Sequence, residues 1–500
     1  MQGLLPEKIE SIWIATTPST NFPTLERNLE VDVVVIGGGI VGLNTAYFLK
    51  NQGIKTAVVE AGRIAMGTSG NTTAKATSLH GLRYAYLTEE FGKDKAQVYA
   101  ESNEWAISEL ERIIKKENIN CDFYRAPSFT YTKSMDDLGK IKQEVEVALG
   151  LGLPASFAAS IPGVDLQILG AVRFDNQAYF HPRKYLLKIA ELINSGGSYV
   201  WENSRVVDIK EGEDFCKVVT SSVSLKAKSV VVATNFPFYD PNKIFSELQR
   251  SGSFVIACSP KLPYSETMFI GTRSFDMSFR PHKDKDKEKE WLIIGARHGE
   301  APGGKSIDES FEFLAGLAEK NFQIKSVGFK WGAADTMSRD LVPYIGRMPG
   351  SRNIFVATGF SAWGMTPGLV AARLLTDLIL GKDNEWESLY DPGRLVFWQA
   401  QDYGGSKAAS VKTTAAKGGE AMDDLKNGEG KIIPYKGRKA AVYKDENGKV
   451  FVVSANCTFE GCLVNWNAEE KVWDCPCCGS RYSVEGKVLR GPATKDLEKI

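Results

Sequence analysis

The sequence predicts an α/β fold: a doubly wound dinucleotide-binding unit, a mixed α+β middle and a small all-β domain at the C-terminus. Three observations predict it. Val31–Ile36 is a short, β-branched, nearly all-apolar run, as a buried parallel strand requires, and glycines and a helical stretch follow it. A second strand-like run, Lys55–Glu60, completes a βαβ unit. Ile432 to Ile500 is β-rich, carries turn signals at Glu446-Asn447-Gly448 and Glu485-Gly486, and holds five of the chain's eight cysteines.

At roughly 100–200 residues per domain, the 500 residues make two or three domains. Lys+Arg and Asp+Glu both number 61, so the balance of charge gives no electrostatic case for nucleic acid. No apolar run reaches the ~18 residues of a membrane span, so no integral membrane segment is expected. Met1 to Thr20 lacks the basic-then-apolar order of a signal peptide, and a cytoplasmic address follows. Thiols stay reduced there, which favours metal or redox chemistry for clustered cysteines. Cys121, Cys216 and Cys258 are scattered and read as buried.

Along the chain, the first helix runs from Ile40 to Gln52 and stops at Gly53. The middle, about Ala85 to Lys325, mixes helices (Lys93–Asn118, Arg183–Asn194) with strands (Val206–Ile209, Val230–Ala233, Phe254–Cys258, Trp291–Ile294). The charged run His282–Glu290 reads as a solvated hairpin loop. Asn353–Ala357 is a further strand, and Thr366 to Leu380 a helix, with Thr366 as its cap, Pro367 in its first turn and Gly381 at its end. Residues 1–400 thus form one large module. Residues 401–430 have the Gly, Ala, Lys and Ser/Thr composition of a linker, and 431–500 form the small domain.

Gly37-Gly38-Gly39-Ile40-Val41-Gly42 fits G-x-G-x-x-G between a strand and a helix, the context the motif requires. Gly37 permits the tight turn, Gly39 lets the backbone approach a pyrophosphate, and Gly42 allows close helix–strand packing. The helix N-terminus offers unpaired N–H groups to phosphates. Glu60, at the end of the second strand, can accept hydrogen bonds from ribose hydroxyls. The motif alone serves FAD and NAD alike.

Residues 31–390 resemble the FAD-dependent oxidoreductases of the D-amino-acid oxidase and glycine oxidase family. The stretches that carry the resemblance are Val31–Gly42, Val58-Val59-Glu60-Ala61-Gly62, Val230-Val231-Val232-Ala233-Thr234-Asn235 and Ile354-Phe355-Val356-Ala357-Thr358-Gly359-Phe360-Ser361. The resemblance implies a Rossmann-like FAD-binding domain interleaved with a mixed α+β substrate domain. It implies that the stretch through Gly359 returns to the flavin, that the helix beginning at Thr366 points its N-terminus at the ring, and that Val207 touches the adenine. Gly67 to Lys75 holds no His or Cys for a covalent link, so the FAD is expected to be non-covalent. His80, His181, Arg280, Arg297 and His298 are candidate substrate-pocket groups, and Trp363 a candidate wall.

Residues 431–500 resemble a Rieske domain through Cys457-Thr458, Gly461-Cys462, Trp473-Asp474-Cys475-Pro476-Cys477, Gly479-Ser480-Arg481-Tyr482 and Gly491-Pro492-Ala493. The resemblance assigns Cys457 and Cys475 to the inner iron and histidines to 459 and 478, where this chain has Phe459 and Cys478. It assigns Cys462 and Cys477 to a bracing disulfide. Three readings stay open. Cys457, Cys475 and Cys478, with Cys462 or Cys477, bind a [2Fe–2S] cluster by four thiolates, or they bind zinc, or the domain carries no metal. The expected function is FAD-dependent oxidation of a C–N bond in an amine or amino acid, with electrons leaving either to dioxygen or through the C-terminal domain. The alternative is a flavin-containing redox sensor or binding protein.

Overall fold

The computed structural model describes residues 5–241, 245, 248–261, 264–273, 276–298, 307–394, 425–468 and 470–500. An eight-stranded sheet carries the dinucleotide unit. Its parallel strands lie in the order Ile354–Thr358, Ser224–Asn235, Leu29–Ile36, Thr56–Val59, Tyr199–Trp201. The chain leaves Leu29–Ile36 toward one neighbour and returns later to the other, so a crevice opens at the carboxyl end of that strand.

The helix Ile40–Asn51 is buried at nine of its twelve positions, because it lies between the sheet and the helices Thr366–Ile379 and Pro182–Ile193. Its one buried amide is satisfied: Asn44 Nδ2 donates to the Ile40 carbonyl, and Tyr185 donates its hydroxyl to Asn44 Oδ1 at 2.6 Å.

A second sheet of nine strands forms the other layer of the large module. It runs from Ile324–Met337 through Gln249–Pro260, Lys289–His298, Ser278–Asp284, Met268–Gly271, Tyr124–Thr132 and Gly170–Tyr179 to Lys75–Ala76 at the far edge. The two sheets draw strands alternately from the chain, so the domains interleave. The charged run His282–Glu290 does form a hairpin, but a shorter one than expected. Strand structure continues to Asp284 and resumes at Lys289, and His282 and Asp284 are buried.

The C-terminal domain has two small antiparallel sheets, Gly430–Tyr435/Arg438–Lys444/Val450–Ser454 and Asn465–Asn467/Val472–Asp474/Arg481–Ser483/Val488–Arg490. Of the linker expected over 401–430, residues 401–424 lie outside the described residues. Leu425 already packs against Ile433, Ala440 and Val442, and Gly430 opens a strand. Among the described residues no helix is long and apolar enough to cross a membrane.

Candidate active site and C-terminal thiol cluster

At the crevice lies a cavity of about 570 Å³, lined by Gly37, Gly38, Gly39, Ile40, Val41, Glu60 and Ala61. Gly37 has φ +114°, and a Cβ there would meet the Ala233 carbonyl at 2.5 Å. Gly42 stands behind the cavity wall: a Cβ would lie 2.0 Å from the Gly37 carbonyl oxygen. The two glycines therefore keep the turn flat against the neighbouring strand and the helix tight under the turn. Ser69 accepts the first free helix N–H, from Ile40, at 3.0 Å. Glu60 accepts the N–H groups of Gly38 and Gly62, both at 2.8 Å. Burial raises the Glu60 pKa, and those two N–H groups oppose the rise.

Other expected residues sit elsewhere. Gly62 serves the site through its N–H to Glu60 and does not face the cavity. Arg205 and Val206 line it, whereas Val207 does not. Gly359, at φ +73°, packs against Ser338, Tyr344 and Leu248 and shapes the turn from behind. The wall itself is Phe360, Ala362, Trp363, Gly364 and Met365. Ser361 and Ala362 also have positive φ, 51° and 70°, a cost that the surrounding packing sustains. Thr366 is not the cap of its helix, since Met365 holds that position. Its hydroxyl instead donates to the Thr77 carbonyl at 2.8 Å and meets His80 Nε2 at 3.2 Å.

His80 lines the cavity, with Nδ1 2.6 Å from the Tyr99 hydroxyl and its ring 4.8 Å from that of Trp363. Burial, then Arg83, holds its pKa well below the usual value, so the ring is neutral and serves to seat Trp363. Arg280 and His181 are not pocket groups. Arg280 is fully buried and donates to the carbonyls of Thr73, Pro281 and Phe180. His181 caps the helix Pro182–Ile193 against Trp13. The side chains of Arg297 and His298 lie outside the described residues.

Sequence reasoning passed over Lys75. It lines the cavity, is 6% exposed, and bonds Ser278 Oγ at 2.6 Å, with no acid in ion-pair reach among the described residues. Burial and then Arg280 push its pKa down to about 7. The available signal was one lysine closing an otherwise uncharged Ser/Thr/Asn loop.

The C-terminal domain docks on the large module and forms part of the wall of this cavity. Arg490, Gly491, Pro492 and Thr494 line it. Arg205 donates to the Leu489 carbonyl at 3.0 Å, Gly479 abuts the Arg250 guanidinium, and Phe459 meets Phe236 edge-on at 6.1 Å. Position 459 is thus an apolar anchor. Phe459→Ala is expected to cost about 1–2 kcal/mol of docking, given partial burial. Hydrogen exchange over 488–494 should rise several-fold, and unchanged protection would refute the anchor.

Beneath the contact, the sulfurs of Cys457, Cys475 and Cys478 all lie within 4.8 Å of one another, and all three residues are buried. Cys457 and Cys478 are 3.6 Å apart. Hydrogen bonds from Cys475 and Cys478 push the Cys457 thiol down, and the same contacts push Cys475 up. Cys462 and Cys477 are joined in the disulfide that the resemblance implies, so neither offers a thiolate as it stands and neither serves as the fourth metal ligand also expected of them.

With fold and site in place, comparison with known proteins defines the class. The FAD dependent oxidoreductase (DAO) family matches residues 32–378, and the Rieske [2Fe-2S] domain family residues 420–500. The chain belongs to the DAO family of FAD-dependent oxidoreductases and carries a C-terminal Rieske domain; it is an oxidoreductase. It is 35% identical to "Putative Rieske 2Fe-2S iron-sulfur protein YhfW" of Bacillus subtilis, across 100% of this chain and 99% of that one. It is 23% identical to gamma-glutamylputrescine oxidoreductase of Escherichia coli, over 73% of this chain and 88% of the other. The crystal structure of glycine oxidase from Geobacillus kaustophilus shares the fold at TM-score 0.62 and 16% identity, covering 74% of this chain and 99% of that one.

The first family implies FAD and the second a [2Fe–2S] cluster. The FAD site fits: a flat glycine turn, a helix N-terminus and Glu60 line one continuous cavity. The donors for a histidine-ligated cluster do not fit. No histidine follows His298, and Phe459 turns its ring into Phe236.

Proposed function

We propose that this enzyme oxidises the C–N bond of a small amine or amino acid, in the part of the cavity walled by Trp363, His80 and Lys75. Bound FAD supplies the two-electron acceptor. The chain's own groups bind and orient. Lys75, as ammonium, receives a substrate carboxylate, Ser278 holds its Nζ, and Trp363 excludes water from the reacting carbon. The helix that starts at Thr366 opens on the cavity through Gly364 and Met365, which favours negative charge there. The observation that carries the reading is Lys75, a buried cation facing the cavity without an acid partner among the described residues. We place the reaction in the cytoplasm, and electrons leave to dioxygen or a soluble carrier that reaches the cavity.

The test is anaerobic mixing of the purified protein with a panel of amines and amino acids while the flavin absorbance is followed. Rapid bleaching and repeated turnover with at least one panel member are expected. A flavin that no amine or amino acid reduces would sink the reading.

A further inference from the structure

The mismatch between the C-terminal donor set and the cluster its family implies points to a different ion. We propose that Cys457, Cys475 and Cys478 bind one thiophilic divalent cation, zinc in the first instance. This three-thiolate site would brace the two thiol loops that the C-terminal domain sets against the flavin cavity.

Convergence is the first argument. Thiolates about 2.3 Å from a common zinc lie about 3.8 Å apart in a tetrahedron. Here one pair is 3.6 Å apart and all three sulfurs fall within 4.8 Å. A dinuclear cluster instead divides four donors between two metals. Cys462 and Cys477 come near Cys475 but are tied up in their disulfide, and among the described residues no other His, Cys, Asp or Glu joins the trio. The fourth position is left to water or a small anion.

Support for thiolates is the second argument. Ser480 Oγ lies 3.0 Å from Cys478 Sγ, and the Tyr482 hydroxyl 3.2 Å from Cys457 Sγ. Each hydroxyl can donate to sulfur, the arrangement that orients metal-bound thiolates. The Cys462–Cys477 disulfide ties the same two loops together, so the sulfurs are held in place before an ion arrives.

Charge is the third. Three thiolates and a divalent cation sum to −1. Arg250 abuts Gly479, the residue after Cys478, and it also lines the flavin cavity. Among the described residues its guanidinium bonds Thr336 Oγ1 at 3.3 Å and forms no ion pair. An anionic metal site gives this half-buried cation a counter-charge and sets the thiol loops against the cavity wall. Zinc(II) is redox-inert, so the site makes the domain a wall of the flavin cavity and not a relay.

The experiment uses full-length protein with its flavin. Metal and acid-labile sulfide are measured after anaerobic purification and after incubation with zinc or cobalt(II). About one zinc per chain without sulfide is expected, with three sulfurs per zinc by X-ray absorption and sulfur-to-cobalt charge-transfer bands in the cobalt form. Cys475→Ser and Cys478→Ser should lose the metal, and Cys216→Ser should keep it. Two irons and two sulfides per chain would overturn the proposal, as would wild-type protein that takes up neither zinc nor cobalt. The wild-type measurements decide the matter even if a serine variant fails to fold.

Discussion

Gly42→Val is expected to purify without flavin. A Cβ at Gly42 would sit 2.0 Å from the Gly37 carbonyl oxygen, and that oxygen belongs to backbone that cannot swing aside. Either the helix Ile40–Asn51 lifts off the turn or the turn itself moves. Lifting the helix disturbs packing on two sides, because it lies between the sheet and two other helices. Moving the turn displaces Gly38, whose N–H is held by Glu60. Overpacking costs about 1–3 kcal/mol where neighbours can adjust, and more here, where they are backbone. We expect FAD content to fall at least tenfold, measured as flavin released on denaturation per chain. Gly139→Ala is the control. It lies on the exposed face of the helix Met135–Gly150 with nothing within 4 Å of an added Cβ, so full flavin content and a gain of about 0.5–1 kcal/mol are expected. A yellow, stable Gly42→Val protein would mean that the turn does not hold the cofactor.

The role of Gly42 is legible in the sequence, because the needs of a glycine turn are local. A strand, three glycines and a helix fix which atoms crowd which, and the structure adds only the distances. The interleaving of the two domains was legible only through resemblance, since strands such as Ser224–Asn235 and Ile354–Thr358 join the first sheet from far along the chain. Residues whose role depends on distant partners were not legible. Lys75 matters because Ser278, 203 positions away, bonds it and Arg280 repels its charge. Arg280 reads from sequence as a candidate substrate-pocket group, yet three backbone carbonyls consume it. In the sequence Phe459 reads only as a missing ligand, because its partner Phe236 lies across the domain contact. Thr366 has a capping side chain, but the loop at Thr77 competes for its hydroxyl and wins.

Lys75→Met should separate amino-acid substrates from plain amines. If Lys75 pairs with a carboxylate, the variant loses a charge-assisted hydrogen bond of about 1.5–3 kcal/mol, or roughly 10- to 100-fold in KM for a carboxylate-bearing substrate. An amine without a carboxylate should shift by less than about threefold. The pH dependence has a definite sign. Burial lowers the folded pKa to about 7, so Lys75 is charged below that pH and neutral above it. Wild-type KM for an amino acid should therefore climb about tenfold per unit above pH 7, and the variant should be flat there. Stability runs the opposite way from a salt-bridged lysine. A folded pKa depressed below the unfolded value disfavours the charged form, so the cost grows as pH falls from about 10.4 to 7 and is then constant. Lys75→Met should accordingly raise the melting temperature of the substrate-free protein at pH 6–7 and change it less at pH 10. A higher KM together with higher stability is the signature of a group that the fold carries at a cost for the sake of its ligand. Equal KM changes for amines and amino acids would show that Lys75 shapes the cavity without binding a carboxylate.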